Sequence, residues 1–274
     1  MSETPSQWQS LLHNVGVWEG SFTRLSPQGE LVEEVPTCVT FAPYDDNRAM
    51  RQTLEFFTVA GELKEKKVLE YSSLNRGILF FADGAFSQGS IQSVPIGKFG
   101  AELGFIQGDR RLRIVELFSS QQLSGITLIR EFRASTARIE RPPLTVEQLV
   151  GDWQGEAITI YPDWQPPSTY STQLSIRQVG DRLTQQLTMP GMELTSSAVI
   201  NGSILAFDQG SYPIQVLLLA NGASCNTPIV LPQGKRFFLE AGWLTDDNHR
   251  QRMIRSYNDK GNWNSLMLVA EQSV

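Results

Sequence analysis

The sequence predicts an all-β protein of two tandem antiparallel β-barrels, each preceded by a short capping helix. Three observations predict it. The chain repeats itself at about half its length, each copy is built of short apolar or alternating runs bounded by turn residues, and one helix-like segment precedes a tryptophan in each copy. At 274 residues the chain exceeds the roughly 100 to 200 residues usual for one domain, which fits two units.

The repeat comes first because it sets the architecture. ILFFADGAFSQGS (78 to 90) lies over VLLLANGASCNTP (216 to 228) at a shift of 138, and the same shift carries Phe99, Glu102, Gly104 and Phe105 onto Phe237, Glu240, Gly242 and Trp243. One added turn residue makes the shift 139, and RLRIVELF (111 to 118) then covers RQRMIRSY (250 to 257). Near each start VGVWEG (15 to 20) matches VGDWQG (150 to 155) at a shift of 135. The domains are therefore placed at 1–137 and 142–274, with the proline-bearing stretch Arg138 to Pro143 as linker.

In the first copy the runs Val35 to Phe41, Thr53 to Val59, Val68 to Tyr71, Ile78 to Ala82, Phe99 to Ile106, Leu112 to Phe118 and Ile126 to Phe132 read as strands. Trp8, Leu11, Leu12 and Val15 fall at helical spacing, with Thr4 as N-cap, Pro5 at N1 and Gln7 at N3. Thr145 and Gln148 repeat that box before Val150, so a helix is expected to plug one end of each barrel, where an apolar lining would otherwise meet water. Asp83-Gly84 and Asn221-Gly222 suit tight turns in which both residues take positive φ.

Composition narrows the function. A net charge of -6 opposes nucleic acid and anionic lipid, and no apolar run reaches the roughly 18 residues of a membrane helix, so neither nucleic-acid binding nor membrane insertion is expected. The start MSETPSQWQS has neither a secretory nor a transit pattern, which places the protein in the cytoplasm. Cys38 and Cys225 occupy unrelated repeat positions and read as reduced thiols. His13 and His249 are the only histidines, and no metal cluster, triad or phosphate loop is legible, so a non-enzymatic protein without a cofactor is expected.

One constellation could carry chemistry. A two-residue turn at Gly108-Asp109 sets Arg113 opposite Gly104 and Glu102 opposite Val115, all on one face of the hairpin. A three-residue turn at Asp246 to Asn248 sets Arg252 opposite Gly242 and Glu240 opposite Ile254. The glycine is expected to leave room for the guanidinium to lie across the sheet toward the carboxylate. Either this is a structural ion pair, as buried charge demands, or the arginine anchors a ligand. Trp18 and Trp153 read as core plugs.

A short helix followed by Gly16-Val17-Trp18, and again Gly151-Asp152-Trp153, resembles the lipocalin and calycin signature. The blocks A-[DN]-G-A, E-x-G-[FW] and R-x-R before an aromatic resemble a family of photosynthetic organisms described as tandem lipocalin-like domains of unknown function, found in cyanobacteria and plastids. Its plant relatives include a biogenesis factor for the chloroplast ATP synthase. The stretch Asn248 to Arg252 is distantly similar to S-type phycobilin lyases. The resemblance implies lipocalin-like barrels and, first, an assembly factor that meets subunits of the ATP synthase catalytic head. It implies, second, a carrier of a small apolar or anionic ligand such as a bilin, pigment precursor or lipid, held by Arg252, Glu240 and Tyr257 in the second unit and by Arg113 and Glu102 in the first. A lyase is the third reading, for which Cys225 would be the thiol to examine, although its repeat partner is Ser87 and nothing nearby in sequence activates it, which favours a buried or incidental thiol.

Overall fold

A computed structural model describes residues 5–274. Helix α1 (Gln7–Leu11) runs into one 3-10 turn, Leu12–Asn14. Then follow β1 (Gly16–Leu25), β2 (Leu31–Tyr44), β3 (Ala49–Phe57), β4 (Leu63–Tyr71), β5 (Ile78–Phe80), β6 (Phe86–Gly89), β7 (Lys98–Gln107), β8 (Arg110–Ser119) and β9 (Gln122–Arg133). The second unit holds β10 (Gly151–Ile160), β11 (Ser168–Val179), β12 (Arg182–Met189), β13 (Met192–Asn201), β14 (Ile204–Phe207), β15 (Ile214–Leu218), β16 (Ala223–Pro228), β17 (Phe237–Leu244), β18 (His249–Tyr257) and β19 (Trp263–Ser273). Every ladder is antiparallel.

Two equal capped barrels are not what forms. The second unit is a closed ten-stranded barrel, whereas the first is an open nine-stranded sheet in the order β4-β3-β2-β1-β9-β8-β7-β6-β5. Matching registers explain the difference. Through the pairs with Gly16 and Gly151, Phe41 corresponds to Ile176, Gln52 to Gln185 and Tyr71 to Ala198, while Ile78 corresponds to Val216. From Tyr71 to Ile78 is seven positions, but from Ala198 to Val216 is eighteen. The missing residues are those that form β14, so the first sheet has no strand with which to close.

The second capping helix is also absent. Ahead of Trp153 the Thr145 amide donates to the Gln148 side chain, but only Leu149 and Val150 add turn bonds, both to the Val146 carbonyl. Few residues lie between Pro143 and Gly151, too short a run to repay helix nucleation. In the first unit Ser6 is the N-cap, joined to Gln9 in a reciprocal capping box. The N-cap expected at Thr4 lies outside the described residues.

The two units pack back to back through their β7–β8 and β17–β18 hairpins. Leu103, Phe105, Leu112 and Ile114 on one side meet Leu239, Ala241, Trp243 and Met253 on the other in one buried cluster. Phe99 lies 5.9 Å from Phe237 and Phe105 lies 6.2 Å from Trp243. Each of these is a residue touching its own repeat partner, so an approximate two-fold axis runs along this seam. On β8 and β18 the arginines Arg111 and Arg113, and Arg250 and Arg252, stand on the face turned into each unit, whereas Glu116 and Arg255 stand among the apolar residues of the seam face. Among the described residues no helix is long and apolar enough to cross a membrane.

Candidate functional site

The turns set the registers as their lengths predict. Gly104 pairs with Arg113 and Glu102 with Val115, and Gly242 pairs with Arg252 and Glu240 with Ile254. In the first unit Arg113 Nη1 donates to Glu102 Oε1 at 2.6 Å; in the second, Arg252 Nη1 donates to Glu240 Oε1 at 3.2 Å. The space over Gly104 is not taken by the guanidinium as expected. A Cβ there would meet the Phe86 ring at 2.6 Å, and one on Gly242 would meet Ser224 Oγ at 2.3 Å.

Each pair belongs to a larger network whose centre is a second glutamate. Glu131 on β9 accepts from Arg113 Nη2 at 3.0 Å and from Arg111 Nε at 2.7 Å. Glu271 on β19 accepts from Arg252 Nη2 at 2.7 Å and from Arg250 Nε at 2.8 Å. The outer carboxylate is held on its far side by an amide, Gln88 at 2.7 Å on Glu102 and Asn226 at 3.2 Å on Glu240. Arg111 lies over the Trp18 ring at 4.7 Å, and Arg250 over Trp153 at 4.6 Å. Each indole N–H donates four residues back, to the Asn14 or Leu149 carbonyl.

Glu131 and Glu271 are the residues that sequence reasoning missed. Their signal lay in the second glycine of G-x-W-x-G, because Gly20 pairs with Glu131 and Gly155 with Glu271. A Cβ on Gly155 would sit 2.8 Å from Glu271 Cγ, and one on Gly20 would sit 1.8 Å from the Arg130 carbonyl oxygen. The glycine admits the acid, and the acid gathers the arginines.

The electrostatics follow from burial and pairing. Burial alone would push the Glu131 carboxyl up, but Arg111 and Arg113 outweigh it and hold it below the usual carboxylate range. The same opposition brings Glu271 down to about 2. Both glutamates are fully charged at neutral pH. Burial lowers Arg111 and Arg250 from their ordinary values, since each shares its one glutamate with a second arginine.

Tyr257 is not brought to this network. It lies at the seam between units, stacked on Phe237 at 4.7 Å, with its hydroxyl donating to the Ser90 carbonyl at 2.9 Å. Burial pushes that hydroxyl up to about 12. Cys225 is buried at the same seam, where desolvation and the nearby Glu116 raise its thiol well above the ordinary value. Glu116 itself is wholly buried, with Thr227 and Cys225 beside it but neither oxygen hydrogen-bonded, and burial pushes it up to about 8.

Two clefts adjoin the open sheet. One of about 720 Å³ is bordered by Gln88, Glu102, Val115 and Leu117, at the outer end of the first network. The other, of about 610 Å³, lies beside α1 at the gap between β4 and β5.

No curated protein matches the chain. Residues 140–274 match the model described as "Biogenesis factor required for ATP synthase 1, C-terminal domain", and residues 4–136 match the N-terminal domain of unknown function DUF3598. An S-type phycobiliprotein lyase CPES from Guillardia theta is 11% identical over 47% of this chain and 89% of its own, with a TM-score of 0.38. A DUF3598 protein of unknown function from Nostoc punctiforme is 46% identical, with a TM-score of 0.93, over 98% of this chain and 100% of its own. The chain therefore belongs to the DUF3598 family, with a second half of the ATP synthase biogenesis factor's C-terminal type.

Proposed function

We propose that this protein is a non-enzymatic assembly factor that meets a subunit of an ATP synthase catalytic head during its biogenesis. The observation that carries the reading is the match of residues 140–274 to the C-terminal domain of a biogenesis factor for that enzyme. The ion networks add a physical argument. Arg113 and Arg252 each already meet two carboxylates, so an incoming anion would compete with a buried glutamate for its guanidinium. A network so committed works best as the frame that holds β1, β7, β8 and β9, and their counterparts, in place while outer surfaces do the binding.

Affinity capture with the tagged protein in a cyanobacterial extract, followed by mass spectrometry, tests this. Enrichment of catalytic-head subunits over an untagged control supports it, and their absence overturns it.

The cleft at Glu102 and Gln88 favours a second reading, a carrier of a small apolar ligand with a polar end. A small molecule released in stoichiometric amount on denaturation would establish that reading over the first.

A further inference from the structure

The two units differ by one strand, and the place where that strand is missing can be located to the residue. In the closed barrel β14 pairs with β13 through Val199, Ile200 and Asn201. The registers that equate Tyr71 with Ala198 make Ser72, Ser73 and Leu74 their counterparts. Those three residues form one wall of the 610 Å³ groove, whose other walls include Trp8 of α1 and Trp164 of the second unit. The groove stands where the tenth strand would run.

The two edges of the gap are treated differently. On the β5 side, Gln7 acts as a stand-in strand: the Phe80 amide donates to its Oε1 at 2.6 Å and its Nε2 donates to the Phe80 carbonyl at 2.9 Å. The next amide, Ile78, donates to Asn75. On the β4 side, among the described residues, no backbone group of Leu63 to Tyr71 is bonded outside the β3 ladder. Val68 and Leu69 are half exposed on this edge. Natural sheets protect a free edge with charge, and Lys64, Lys66 and Lys67 do so along most of β4; Ser72 to Leu74, a bend just beyond its end, carry none, and Arg48 also lines the groove. Trp164 is 73% exposed and is held at φ +65, a backbone region that a bulky side chain rarely takes.

We propose that this groove takes up an extended apolar segment of the partner protein as an added strand beside Ser72 to Leu74. The inference rests on the assembly reading above and says how the partner is held. The occupant's chemistry is argued from the closed copy, where the strand in this position is Ile204-Leu205-Ala206-Phe207 and buries Leu205 into the barrel. Backbone pairing would supply affinity, and the apolar side chains seated between Trp8 and Trp164 would supply selectivity.

Hydrogen exchange on the full chain, alone and with each purified catalytic-head subunit in turn, tests it. Exchange at Glu70 to Leu74 is expected to slow at least tenfold with one subunit, with β12 and β13 unchanged. Trp164→Ala, an exposed position, is expected to weaken that complex at least tenfold, and replacing residues 72 to 77 by the second unit's 199 to 215 is expected to abolish it. Binding of no subunit would overturn the assembly reading itself. Binding with unchanged exchange at Glu70 to Leu74 would leave that reading standing and overturn this one, as would concentration-dependent protection without any subunit, which would assign the groove to a second copy of the chain.

Discussion

The two units build the same Trp, Arg and Glu network, one inside a closed barrel and one inside a sheet that never closes. The shared part lies in β1, β6, β7, β8 and β9 and in their counterparts β10, β16, β17, β18 and β19, which carry the G-x-W-x-G glycine, the carboxylate pair, the two arginines and the amide on the outer carboxylate. The parts that differ are β2 to β5 against β11 to β15. Closure is therefore not needed to hold the network, and the network is not what closes the barrel. What the comparison teaches is that one half of each unit is a frame and the other half is free to change shape.

The largest expected effect comes from removing the centre of a frame. Glu131→Gln and Glu271→Gln each leave two buried guanidiniums without their shared carboxylate, which should cost about 3 to 5 kcal/mol in a denaturant titration. If the frame is independent of closure, the two losses agree within about 1 kcal/mol. A loss far smaller at Glu131 would show that the open unit relaxes around the lost charge and would break the comparison.

The seam gives the next effect. Glu116 and Arg255 occupy equivalent repeat positions with opposite charge, and both are wholly buried. Arg255 is satisfied by the Tyr257 hydroxyl, Ser87, two backbone carbonyls and the Trp263 ring, whereas among the described residues neither Glu116 oxygen is hydrogen-bonded. Because the Glu116 carboxyl sits at about 8 when folded, the folded chain holds a proton that the unfolded chain releases near its ordinary value of 4.5. Stability is then full below that ordinary value and falls as pH rises through about 8. Glu271 has the opposite sign: its folded value of about 2 gives stability above the ordinary range that is lost as pH falls toward 2. Glu116→Gln should flatten the alkaline limb in a pH series of unfolding midpoints and leave the acid limb in place. An unchanged alkaline limb would remove Glu116 as its cause.

A smaller effect separates the two tryptophans. Trp18 lies under two guanidiniums, Arg111 at 4.7 Å and Arg133 at 4.4 Å, whereas among the described residues Trp153 lies under Arg250 alone. Replacement by phenylalanine deletes the indole N–H bond in both and weakens two cation–π contacts in the first. Thermal or chemical unfolding should show a loss of about 2 kcal/mol for Trp18→Phe and a smaller one for Trp153→Phe. Equal losses would assign the cost to the hydrogen bond.

How much of this was legible in the sequence follows from what each signal measures. Turn length fixes hairpin register, so the Glu102 to Arg113 and Glu240 to Arg252 meetings could be read from residue numbers alone. The open sheet could not. The shift between copies moves only from 135 at the first glycines to 138 at Leu79, because the first unit has longer connections on both sides of β3 that nearly balance its missing strand. A repeat search reads the net difference and is blind to the two that cancel. Glu131 and Glu271 escaped for a related reason. They lie on the last strand of each unit, joined to the arginines across a ladder whose register drifts by one, and only the facing glycine near the start of the unit marked them. Tyr257 is close to Arg252 in sequence, but the two stand five positions apart on β18, so strand alternation turns Tyr257 to the other face, at the seam.

The smallest effect tests α1. Ser6→Ala removes the hydroxyl that accepts from the Gln9 amide, and such a cap contributes about 1 kcal/mol. Its consequence should be local, because α1 touches the first unit through Gln7 on Phe80 and through Trp8, whose ring meets Tyr71 at 6.2 Å. Exchange at the α1 amides and at the Phe80 amide should rise severalfold while β10 to β19 keep their rates, since the second unit closes on its own strand and needs no helix. A rise spread evenly over both units would mean that the helix supports the whole fold, the closed barrel included.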